Sequence, residues 1–229
     1  MRVRAILPAM LLAAILAGCG GPRTKSGVFA NAVDTGRVPR SIGLFFPQVE
    51  SGAVGREGEW PNGRKFMASE LAAVVHVRML AEMEAGCRPP WKDLMAGEKG
   101  GKERIALLGS VLFRDYSLTG IITQRVANEL GRVSGEDACL IVSITRFGPS
   151  PSKLELRSLA GVVKPVSSPD PAKSWINCGV KLVVFKTPGG MILWEAGALV
   201  SEPVGGEATQ ESVAAQCAAE LMGAFPWRK

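Results

Sequence analysis

The chain has 229 residues, 47% of them apolar and 21% charged, with a formal net charge of +6. That length and apolar fraction suit one globular domain with a full core. The basic residues are scattered, and no Lys/Arg run interleaved with aromatics exists, which argues against a nucleic-acid binder.

The chain opens with Arg2 and Arg4, followed by the apolar run Ala5–Leu16, broken only by Pro8. A bilayer core takes about 20 apolar residues of helix to cross, and this run is 12 long. A charged start, a short apolar centre and small residues at its end describe a secretory signal. Leu16-Ala17-Gly18-Cys19 further resembles the lipobox of bacterial lipoproteins, in which cleavage precedes a cysteine that then carries acyl chains. The plainer alternative is an ordinary signal peptide with an incidental cysteine. The lipobox resemblance implies a signal over residues 1–18, lipid attachment at Cys19 and a membrane partner held through the lipidated N-terminus. Several acyl chains give stable anchoring where one gives marginal binding. Gly20 replaces the Asp that marks inner-membrane retention, so the expected site is the periplasmic side of the outer membrane. Loss of Arg2 and Arg4 with the signal lowers the charge from +6 to +4. A mildly basic surface suits anionic lipid or an acidic cell-wall polymer.

An exported chain with Cys87, Cys139, Cys178 and Cys217 remaining suggests up to two disulfides, among three possible pairings. The alternative is four buried thiols packing as small hydrophobes, and the apolar surroundings of Cys139 and Cys217 favour that for them. No C-x-x-C pair is present, which leaves redox and zinc motifs without support.

Residues 19–40 read as a flexible tether and 41–229 as a single domain. Ser41–Pro47 is a short apolar run stopped by proline, a buried strand. Ser51–Arg64 is loop, with five glycines and prolines. Lys65–Ala85 carries Met67, Leu71, Val74, Val75 and Met79 at helical spacing, with Gly86 placed to end it. His76, the sole histidine, falls mid-helix. Cys87–Arg104 reads as a link containing Arg88-Pro89-Pro90-Trp91, and Ile105–Phe113 fits strand or helix. Thr119 is placed to cap a helix running through Ile122, Val126 and Leu130 to Gly131. Ala138–Phe147 is apolar on both faces, a central strand. Gly148–Pro171, with five prolines, is a long loop with room for a strand at Lys153–Leu159. Trp175–Phe185 and Met191–Ser201 form an antiparallel hairpin around Thr187-Pro188-Gly189-Gly190. A final helix starts near Ala208 with Val213, Cys217, Leu221 and Met222 on its apolar face. The expected fold class is α/β: a mixed sheet with crossover helices, a C-terminal antiparallel hairpin and a closing helix.

Gly135-Glu136-Asp137-Ala138 before one strand, Pro188-Gly189-Gly190-Met191-Ile192-Leu193-Trp194 at the hairpin turn, and a closing helix ending Phe225-Pro226 resemble a set of bacterial lipoproteins. The group holds the curli-secretion channel lipoprotein, the penicillin-binding-protein activator lipoprotein, the neisserial DUF799 lipoproteins and the N-terminal domain of TolB. The motifs are short and structural, so the resemblance implies a fold, with Trp194 as a core residue.

Two classes of function remain. The first is a non-catalytic envelope protein that binds a protein partner or forms a homo-oligomer. Its candidate contacts are Arg56 with Trp60, and Arg157 with Leu159, in the two longest irregular segments. The second is an enzyme or pore component of envelope assembly. A catalytic triad would have to use the mid-helix His76, metal-ligand clusters are lacking, and no phosphate-binding loop is present. The expectation is therefore no enzyme, no cofactor, no metal and no nucleic-acid partner. A pore hairpin would have to come from the proline-bearing Gly148–Pro171.

Overall fold

The computed structural model describes residues 27–32, 38–54, 67–96, 99–159, 162–169, 174–204 and 209–228. Its centre is β5 (Ala138–Ser150), whose early residues are buried on both faces. Leu140, Val142 and Ile144 point to one side, Cys139 and Ile141 to the other. On one flank β5 pairs antiparallel with β8 (Trp175–Lys186), which pairs with β9 (Ile192–Pro203) through the expected hairpin. On the other flank it pairs parallel with β2 (Ile42–Leu44), itself parallel to β4 (Trp91–Asp93). The short β3 (Gln48–Val49) continues alongside β5.

The outermost strand on the hairpin side is β1 (Gly27–Ala32), antiparallel to β9 from Gly27↔Leu199 to Ala32↔Trp194. This strand lies inside the stretch that sequence assigns to the tether. Its GVFANA pattern has no clear alternation, and main-chain pairing along an open edge needs none. The seven-stranded sheet therefore runs β1-β9-β8-β5-β2-β4 with β3 beside β5.

Helices cover both faces. α1 (Ala68–Gly86) and α4 (Gln210–Gly223) bury Leu71, Val75, Met79, Val213, Cys217 and Leu221 against one face. Burying a side chain of this size contributes about 1.5–3 kcal/mol. Trp194, 1% exposed, sits in this layer and meets Phe225 edge-on at 5.5 Å, and Phe225 meets Trp227 likewise at 5.4 Å. The core reading of Trp194 thus matches its packing. α2 (Lys99–Thr119) and α3 (Gln124–Ser134) cover the other face, around Ile105, Leu112, Ala127, Leu130, Val183 and Phe185. Across that face Lys181 and Glu195 pair at 2.8 Å, with the Lys181 ammonium 4.7 Å from the Tyr116 ring. No helix among the described residues is long and apolar enough to cross a membrane.

Three expectations are corrected here. Ile105–Phe113 is helix, and α2 begins at Lys99 inside the supposed link. α3 is capped by Thr123 rather than Thr119, and it passes through Gly131 to end at Gly135. Gly131 serves a close approach instead: a Cβ there would lie 2.8 Å from Thr187. Gly148–Pro171 is not a loop. It supplies β6 (Ser152–Leu159) and β7 (Val162–Pro169), a two-stranded antiparallel ribbon.

Candidate functional site

The main opening on the described surface is a cleft of about 780 Å³ between α2 and α3. Its walls include Arg104 from α2 and Gln124, Arg125, Asn128, Glu129 and Arg132 from α3. Positions 125, 128 and 132 lie three and four apart, so the helix puts them on one face. Glu129 accepts from Arg132 at 2.8 and 3.0 Å and also from Arg104, which ties the two helices together. The hydrogen bond from Arg132, aided by the nearby charge of Arg104, lowers the Glu129 carboxyl from 4.5 to about 2. Arg132 is raised in turn by Glu129. One carboxylate thus faces three guanidiniums. Arg125 is exposed and has no ion-pair partner among the described residues.

A second cleft of about 440 Å³ shares Asn128 and Arg132 with the first and extends to Arg40, Asp137, Thr187 and Pro188. Asn128 Oδ1 accepts from Gly189 N at 2.8 Å, which leaves the amide NH₂ as a donor. Asp137 accepts from Arg40 N at 3.0 Å, and its own N donates to Ser41 Oγ at 3.2 Å. Thr187 donates its hydroxyl to Glu136 O at 2.5 Å. The segment around Asp137, the hairpin turn and the entry to β2 are therefore stitched into one rigid end. The joint surface is rich in donors and offers little apolar lining beyond Leu108 and Val126.

The structure shows a different fate for the residues singled out in sequence. Cys19, Arg56 and Trp60 lie outside the described residues. Arg157 is exposed on β6 and pairs with Glu155 at 3.3 Å. Glu155 is held below its usual value by Lys153 first and Arg157 second. Leu159 closes β6 opposite Val162. The ribbon carrying both is fixed at the opposite end of β8 from the clefts, through Asn177. His76 is buried, with Nε2 3.2 Å from Asp93 Oδ2 and its ring 5.0 Å from that of Phe46. That is a packed position away from the clefts. No group of three or more His, Cys, Asp or Glu side chains suited to a metal is found among the described residues.

All four domain cysteines are buried. Cys139, Cys178 and Cys217 are free thiols, and burial pushes Cys139 and Cys217 well above the usual thiol range. Cys87 follows α1, bridged to Arg228.

The arginine cleft was not among the sequence candidates. The signal present was the spacing of Arg125, Asn128 and Arg132, which becomes legible once α3 is placed from Gln124.

No family model and no curated protein matches the chain. Solved structures similar to it include PelC from Paraburkholderia phytofirmans, described as a dodecamer, at 10% identity over 89% of this chain and 98% of that one, TM-score 0.42. Lipoprotein GNA1162 from Neisseria meningitidis is similar at 13% identity over 81% and 96%, TM-score 0.42. The hypothetical protein CT253 from Chlamydia trachomatis is similar at 9% identity over 82% and 96%, TM-score 0.49. A neisserial lipoprotein is thus among the similar structures, but likenesses this weak carry nothing about what this chain binds.

Proposed function

We propose that the chain is a non-catalytic, lipid-anchored envelope protein on the periplasmic side of the outer membrane, and that it acts by docking an envelope protein partner or a second copy of itself. The supporting observation is the donor-rich cleft between α2 and α3, where three arginines and an oriented amide surround one carboxylate. Such a surface selects an acidic partner and speeds its approach. The cleft rests on helices tied by Glu129 and on the stitched end of the sheet, so it is already shaped before binding. Export and anchoring rest on residues 1–19 of the sequence.

The test is Arg125→Glu in the full-length chain, followed by crosslinking in isolated membranes. Arg125 has no ion-pair partner to lose, so folding and the melting temperature should hold. Recovery of the crosslinked complex should fall at least roughly tenfold. Mass spectrometry of the complex separates a foreign partner from a second copy. An undiminished complex removes the cleft from the proposal. Arg157→Ala, run alongside, reports whether the ribbon contributes.

A further inference from the structure

Helix α4 crosses β8 and β9 with Cys217 facing the sheet. The Cys217 sulfur lies 3.4 Å from the carbonyl oxygens of both Cys178 and Ala198. Cys178 is on the strand beneath, and its side chain points into the same core layer as Val180, Leu182 and Cys217. Both cysteines are 0% exposed, and their thiols are in hydrogen-bonding contact. Cys139 belongs to the layer on the other side of the sheet, so the strands themselves separate it from this pair. Spacing along the chain leaves three pairings open for four cysteines, and the fold brings two of them together.

We propose that in the exported protein Cys178 and Cys217 are joined by a disulfide that fastens the closing helix to the central hairpin. The structure holds this pair in its reduced form. The inference rests on the export reading, because a stable disulfide needs an oxidising compartment. The oxidant is a protein disulfide of the thiol-oxidoreductase class. One cysteine thiolate attacks that disulfide, giving a mixed disulfide and one freed oxidant thiol. The second cysteine thiolate then displaces the remaining oxidant sulfur. The two cysteines together give up two protons and two electrons, and the oxidant leaves as its dithiol. Neither sulfur is reachable in the folded domain, so the capture takes place before α4 closes on the sheet. The bond closes a loop running through β8, β9 and α4. Reduction should lower the melting temperature by roughly 10 °C.

The experiment is alkylation of the full-length chain, recovered from membranes, in denaturant without reductant, followed by digestion and mass spectrometry. The expected product is a peptide pair joined at Cys178 and Cys217, lost on reduction, with Cys139 alkylated. It should vanish in Cys217→Ser, a comparison that does not require the variant to fold. Alkylation of both Cys178 and Cys217 before reduction overturns the proposal, as does a linkage of either to another cysteine. If fractionation places the chain in the cytoplasm, the export reading fails separately. Refolding of the reduced chain with oxidised glutathione then decides the pairing, and absence of the Cys178–Cys217 link there also overturns it.

Discussion

Gly189 and Gly190 both have positive φ, 89° and 73°, yet they differ in surroundings. A Cβ on Gly189 would meet nothing within 4 Å, whereas one on Gly190 would lie 2.9 Å from Ile122 O. Gly189→Ala therefore carries only the backbone penalty, on the order of 1 kcal/mol. Gly190→Ala adds displacement of the chain that leads into α3, for a total of about 2–3 kcal/mol. Urea midpoints of the two variants check the order, and equal midpoints contradict it. Glu129 sets a pH dependence. Its folded carboxyl lies below its ordinary 4.5, near 2. Its contribution is thus complete above about pH 4.5 and disappears as pH falls through about 2. Glu129→Gln should flatten that part of the acid limb, read as the difference in urea midpoint between variant and parent across the window. Solvent around this side chain keeps the effect small.

Among the elements, the β6–β7 ribbon hangs on few contacts. Ser201 Oγ accepts from Leu154 N at 3.2 Å and lies 2.9 Å from Leu154 O and 2.5 Å from Asn177 Oδ1. Asn177 donates to Ser152 O at 3.1 Å. Ser201→Ala leaves buried polar atoms without this hydroxyl, a loss of about 1–3 kcal/mol. Amide exchange should rise across residues 152–169 while β5 and β8 stay protected, and uniform exchange across the sheet would refute a local role. The ribbon also shows where sequence reading stops. Pro165 and Pro169 disguised β7, which as an edge strand tolerates them. Gly100 and Gly101 hid the start of α2. The β8–β9 hairpin and β5 were legible because their apolar patterning and turn chemistry are local. The cleft was not, because its walls come from positions 104, 124–132 and 187, and only packing of α2, α3 and the hairpin turn unites them.

For the whole molecule, the anchor is the decisive proposal. Cys19→Ser should leave an uncleaved or unacylated chain that no longer fractionates with outer membrane. Membrane recovery of a processed Cys19→Ser chain would refute lipidation. The edge strand β1 changes what such an anchor means mechanically. With Gly27–Ala32 zipped onto β9, a chain held at Cys19 has only the eight residues up to Ser26 as slack, a leash of at most ~29 Å, where 22 unpaired residues would allow ~79 Å. The domain then patrols a thin shell above the lipid instead of ranging deep into the space beyond. Tension on the leash falls first on the ladder of β1, whose pairs peel away one at a time from Gly27, so the shell widens under load before the core feels any force.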